Sequence, residues 1–427
     1  MDHFAYKNGQ LYCEEVNVAE IARVVGTPAY IYSAATLLHH YRAIAEAFAE
    51  LKPVRCFSIK SLANIHILKL LAEAGSGFDV VSGGELYRAR QIGADCSKVV
   101  FAGVGKTDAE INAAIAAGIG LFNVESETEF ENLSRLAVAA GKTVRAALRV
   151  NPDVYDPRTH RYTVTGKKET KFGVDIERAQ RFFETYGRDR FVTLDAIHLH
   201  IGSPIYSAQP YVEAIAKTLE LMDRLAAKGF AVRAMDIGGG FAADYEEGTS
   251  PSAAAYARDI VPLLRGRGLE IFLEPGRQIA ANAAILLSQV LYVKKGGDRN
   301  FIIVDAAMTD LVRPAMYGSE HFVYPADLRG AAAPQRRIAF EAPGGTKVDV
   351  VGGVCESSDF LAKDRILPAM SRGDLLAVFS AGAYGFVMSS QYNSRPRAAE
   401  VLVDGKSFRV IRRRETYDDL LTAETEL

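Results

Sequence analysis

The chain has 427 residues, more than one ordinary hydrophobic core accommodates, so two domains or a large barrel with an appended domain are expected. Its 50 Lys and Arg nearly balance 52 Asp and Glu, leaving a formal net charge of −2; nothing favours nucleic acid or an anionic membrane, and a small molecule or another protein is the expected partner. The four cysteines, Cys13, Cys56, Cys96 and Cys355, form no CxxC pair, so neither a disulfide framework nor a metal site is expected.

The opening MDHFAYKNGQLYCEE has no basic start followed by an apolar stretch and no small-residue cleavage motif, so a cytoplasmic location is expected. PAYIYS reads as a strand. From residue 36 to 282, helical patterns alternate with eight short apolar runs: VRCFSIK, SGFDVVS, KVVFAGV, GLFNVES, VRAALRVNP, LDAIHLHIGS, VRAMDIGGG and EIFLEPGR. Strands buried on both faces read this way. The helical segments, such as ANIHILKLLAEAG and YVEAIAKTLELMDRLAAKG, repeat apolar residues every three or four positions and close on glycine.

Eight strand–helix repeats predict an α/β fold with a (β/α)8 barrel, whose ligand chemistry gathers at the carboxyl ends of the strands. The polar stretch TVTGKKETKFG reads as a mobile loop near that mouth. IAANAAILLSQVLYV is too short and too often interrupted by polar residues to span a bilayer. Beyond it SQVLYVKKG, RNFIIVDAAM, RRIAFEAP, TKVDVVGG, DLLAVFSAGAYG and RAAEVLVDGKSFRVIRRR read as strands. Residues 1–35 and 283–427 are therefore expected to form a mostly antiparallel β domain that takes in PAYIYS.

Several residues fall where chemistry is expected. Lys60 closes the first barrel run, where partial burial and neighbouring cations would free its amine for imine formation. Gly238, Gly239 and Gly240 follow the seventh run and would let backbone N–H groups approach a phosphate, with a helix amino terminus adding favourable charge. Glu274 ends the eighth run, where a carboxylate could keep a pyridine nitrogen protonated.

His198 and His200 are read as pointing to opposite sides of their strand; His200 is assigned to stack on a flat cofactor, with Ser203 on a phosphate oxygen, and His198 to the core. Cys355 and Glu356 lie in a polar loop, where a thiol could donate a proton and a carboxylate could meet a substrate ammonium.

In this order FSIKSLAN, GFDVVSGGELYRA, HLHIGS, DIGGGF, EPGR, DLVRPAMYG, CESSDFLAKDR and AGAYGFVMSSQYNSRPR resemble the fold-type III pyridoxal-phosphate (PLP) decarboxylases, most closely the branch acting on meso-2,6-diaminopimelate. The resemblance covers nearly the whole chain. It implies that Lys60 carries PLP as an imine with Asp79 beside it, that His200 stacks on the ring, and that Glu274 bonds the pyridine nitrogen. Ser203, Gly239, Gly240, Gly276, Arg277 and Tyr384 would hold the phosphate region. Arg277, Arg313, Tyr317 and Tyr384 would hold the distal end of the substrate.

The resemblance further implies a homodimer in which the loop carrying Cys355, the proton donor, and Glu356, a substrate contact, serves the partner's site. Four positions around the lysine depart from the aromatic-Ala-Val-Lys-Ala-Asn pattern of the family: Ser58, Ile59, Ser61 and Leu62. Ser358 stands for a glycine and Thr309 for an asparagine. The alternatives are a PLP decarboxylase of ornithine, lysine, arginine or a carboxylated polyamine, and a cofactor-free regulatory homologue. Arg277 and Arg313 argue against substrates lacking a distal carboxylate; Lys60, Glu274, His200 and Cys355 together argue against the second alternative.

Overall fold

The computed structural model describes residues 2–163, 165–166, 170–245, 250–334 and 342–425. The chain divides into two compact units, one of Tyr41–Ala242 and Ser250–Gln278, the other of Met1–His40, Ala243–Thr249 and Ile279–Leu427.

In the first unit the strands Val54–Ser58, Gly77–Val80, Val99–Phe101, Leu121–Val124, Val144–Asn151, Val192–His198, Ala234–Asp236 and Glu270–Leu273 pair in parallel. The ring closes where Phe272 and Leu273 register with Val54 and Arg55. Every one of the eight apolar runs supplies one of these strands. A two-residue strand, Val174–Asp175, adds to the outside of Val144–Asn151. Asp, Ser, Thr and Asn residues cap most of the helices between them, Gln209–Ala227 excepted; Thr107 and Glu110 form a reciprocal capping box on Asp108–Ala117.

Alternation along the strands explains what fills the barrel. Side chains two residues apart share a face. Cys56, Val100, Leu121, Ala147, Ala196, Ala234 and Phe272 form a buried apolar layer inside. Two residues further toward the carboxyl ends, the same face presents Ser58, Asn123, Arg149, His198, Asp236 and Glu274, and the register sets Ser58 opposite Asp79. A polar ring thus sits directly on an apolar floor. This corrects the reading of the two histidines: His198 follows Ala196 into the interior, because two residues are a full period of a strand.

In the second unit, Phe4–Lys7, Gln10–Cys13 and Val16–Asn17 make a small antiparallel sheet. The larger sheet runs in the order Phe360–Leu367, Thr346–Val351, Arg299–Val304, Ala284–Gly296, Ala29–Ser33, Ala399–Asp404 and Ser407–Arg412. Most of its pairings are antiparallel; Ala29–Ser33 runs antiparallel to Ala284–Gly296 and parallel to Ala399–Asp404. The segment after the Cys355–Glu356 turn contributes a strand here, Phe360–Leu367.

The expected strand RRIAFEAP falls largely outside the described residues, as does part of TVTGKKETKFG. Among the described residues no helix is long and apolar enough to cross a membrane.

Candidate active site

Lys60 lies in a single 3-10 turn, Ile59–Ser61, immediately after the first barrel strand, which aims its amine back at the polar ring. There Lys60 Nζ hydrogen-bonds Asp79 Oδ2, a carboxylate with no exposed surface. Burial pushes the Asp79 carboxyl up and the nearby Glu274 adds to this, while Lys60 and Ser58 pull it down; the net direction is upward.

Glu274 experiences the opposite balance. Burial alone would raise its carboxyl, but His198 and Lys60 outweigh it and hold it well below the ordinary value. Asn123 Nδ2 donates to Glu274 Oε1 at 3.2 Å, and His198 Nε2 stands 3.4 Å from Oε2, a charge neighbour more than an aligned hydrogen bond.

Asp236 accepts the Gly238 N–H at 2.8 Å, and burial, with the charge of Glu274 beside it, pushes its carboxyl well upward. The two buried acids are thus pushed in opposite directions, as close like charges favour. None of Asn123, His198 and Asp236 was singled out as functional. The signal was there: each is a polar residue inside a run otherwise buried on both faces.

His200 Nδ1 accepts the Gly239 N–H at 3.3 Å. Burial, then Arg149 and Lys60, lowers its pKa well below the usual imidazole value, which keeps the ring neutral and flat-faced. Arg277, buried, donates from Nε to Ser203 Oγ at 2.9 Å, so the two residues expected to face an anion meet.

The glycine run is also required by local packing. A Cβ on Gly239 would lie 2.1 Å from the Glu274 carbonyl oxygen, and one on Gly240, at φ +96°, 2.3 Å from that of Gly202. Close backbone packing, not only an open cradle, demands glycine here. Gly239→Ala is expected to destabilise by about 3 kcal/mol or more, read as a lowered thermal midpoint.

The remaining candidates belong to the other unit. Arg313, buried, donates to Ser319 Oγ at 3.1 Å and lies over the rings of Tyr245 and Tyr317 at 5.2 and 5.6 Å. Tyr384 has a left-handed backbone, φ +55°. Cys355 is exposed, its N–H donating to Asn393 Oδ1 at 2.8 Å, and Glu356 follows it in the same exposed turn.

An amine, an ionised carboxylate across from it, a neutral imidazole and a guanidinium–hydroxyl pair at one barrel mouth form the donor set that an aldehyde-bearing, phosphorylated pyridine needs. Residues 34–281 match the model of the pyridoxal-dependent decarboxylase family, pyridoxal binding domain. The chain belongs to this family and uses PLP.

Within the family it falls among the diaminopimelate decarboxylases. It is 46% identical to that of Pseudomonas aeruginosa, with both chains covered over 100% of their length, and 42% identical to that of Aquifex aeolicus over 100% of this chain and 98% of the other. The crystal structure of diaminopimelate decarboxylase from Helicobacter pylori complexed with L-lysine superposes with a TM-score of 0.89 at 38% identity, covering 96% of this chain and 100% of that one.

Proposed function

We propose that this protein decarboxylates meso-2,6-diaminopimelate to L-lysine and carbon dioxide, the closing step of lysine biosynthesis. The observation that carries the reading is the Lys60–Asp79 pair set in the same polar ring as an ionised, buried Glu274. Bound PLP supplies an electron sink for the electrons left when the carboxylate departs.

The residues do the rest. Lys60 is the nucleophile that holds the cofactor, with Asp79 taking and returning its proton. Glu274, held by Asn123 with His198 beside it, keeps the pyridine nitrogen protonated, and neutral His200 packs on the ring. Ser203, Gly239, Gly240, Gly276, Arg277 and Tyr384 hold the phosphate. Arg277, Arg313, Tyr317 and Tyr384 hold the distal end of the substrate, where a guanidinium meets a planar carboxylate through paired donors. Cys355 delivers the proton that replaces the departing carboxylate, and Glu356 meets a substrate ammonium. The working unit is a cytoplasmic homodimer in which the Cys355–Glu356 turn serves the partner's site; the exposure of that turn supports this.

The test is carbon dioxide release from diaminopimelate stereoisomers, lysine, ornithine and arginine. The meso isomer should be turned over at least about 100-fold faster than the substrates lacking a distal carboxylate, since a buried guanidinium left unpaired is costly. Faster release from ornithine or lysine would reject the assignment of Arg313.

A further inference from the structure

The proton shared by Lys60 and Asp79 is within reach of a third group. Ser58 closes the first barrel strand opposite Asp79, and its Oγ lies 2.6 Å from Asp79 Oδ2 and 3.1 Å from the Glu274 carbonyl oxygen. Its place is tightly fixed: Ser61 Oγ donates to the Ser58 carbonyl at 2.8 Å, and a Cβ on Gly276 would come within 2.9 Å of the Ser58 Cβ.

A hydroxyl carries one proton and two lone pairs. It can donate to Asp79 while that group is ionised. When Asp79 takes up a proton, the same oxygen can accept it as a hydrogen bond and turn its own proton to the Glu274 carbonyl. Both protonation states of a buried acid are thereby satisfied, but unequally, because a hydrogen bond to a charged acceptor is roughly twice as strong as a neutral one.

The charged and titratable groups facing Asp79 are Lys60 and Cys56 from the first strand and its turn, Asp236 and Glu274 from the last two strands, and Glu85 from the helix Gly83–Gln91. Lys60 is the cation among them, so the hydroxyl and the amine together oppose burial and the surrounding acids.

We propose that Ser58 is a positioning residue that sets which member of the Lys60–Asp79 pair holds the proton, and so the pH at which Lys60 condenses with the cofactor aldehyde. The inference rests on the role of Lys60 proposed above. In the step it governs, the Lys60 ammonium passes one proton to Asp79. The freed nitrogen lone pair bonds the aldehyde carbon, and the carbonyl oxygen leaves as water with the two hydrogens remaining on that nitrogen. No oxidant or reductant is required.

The test uses the full-length chain stripped of cofactor with hydroxylamine. PLP is added over a range of pH, borohydride fixes the adduct, and mass spectrometry reads the peptide bearing Lys60. In Ser58→Ala the Asp79 carboxylate loses a donor, its proton affinity rises, and the amine is freed at lower pH; the midpoint of capture should fall by about one pH unit. Ser58→Cys, similar in size but a weak donor, should behave like Ser58→Ala.

An unshifted midpoint in Ser58→Ala, or a cysteine variant matching the unaltered protein while only alanine shifts, would show that the hydroxyl merely fills space and would overturn the proposal. Formaldehyde with cyanoborohydride reads Lys60 without the cofactor. A shift seen with formaldehyde in a chain that refuses PLP would keep the role of Ser58 and reject the proposed function, whereas no shift with formaldehyde would reject Ser58.

Discussion

Lys60→Ala is expected to leave a folded protein that borohydride no longer links to PLP and whose decarboxylation falls by about 10^4-fold or more, since the residue is both nucleophile and proton carrier. Its effect on stability should depend on pH. Asp79 in the unaltered protein already has a folded pKa above the ordinary 3.8, so its ionisation works against the fold: that stability is fully present below the unfolded value and is lost as pH rises through the folded one. Without the lysine the folded value rises further. The deficit in thermal midpoint relative to the unaltered protein should therefore widen as pH rises from the ordinary carboxylate range toward neutrality. A constant deficit across that window would mean that Lys60 and Asp79 are not energetically coupled. Retention of more than a few per cent of the activity would remove Lys60 from the chemistry altogether.

Glu274→Gln comes second in expected size. Glutamine keeps the shape and can still accept from Asn123, but it cannot hold a proton on a pyridine nitrogen by charge, and turnover should fall by about 10^2- to 10^3-fold with a lowered thermal midpoint at neutral pH. The pH sign is opposite to that of Asp79. The folded Glu274 value is depressed, so its contribution is present above the ordinary 4.5 and is lost as pH falls toward the folded value. The unaltered protein should lose stability on acidification more steeply than the glutamine variant. Near-full turnover in Glu274→Gln would show that the carboxylate does not serve as the electron-sink partner.

Much of this architecture could be read from the chain because the barrel writes itself locally: each strand is a short apolar run, and each run ends in the polar residues that line the mouth. Lys60, Glu274 and the glycine run stood out for that reason. His198, Asn123 and Asp236 did not, because their meaning depends on partners brought close only when the ring closes; Asn123 and Glu274 are 151 residues apart in sequence. Ser58 was visible only as a departure from a family pattern, and its hydroxyl acquires a role once the register with Asp79 is known. In the β unit the small amino-terminal sheet was missed, since strands of two to four residues are shorter than any periodicity can reveal.

The placement of Ala29–Ser33 between Ala284–Gly296 and Ala399–Asp404 bears on how the chain is made. The ribosome releases this segment early, yet one of its two neighbours emerges some 370 residues later, roughly 20–75 s at ordinary rates of elongation. The barrel, whose strands pair largely with sequence neighbours, can assemble during that interval. The strand Ala29–Ser33 must wait with one hydrogen-bonding edge unfilled even after Ala284–Gly296 has emerged, an aggregation risk confined to nascent chains, and truncation before Ala399 would leave it half-paired for good.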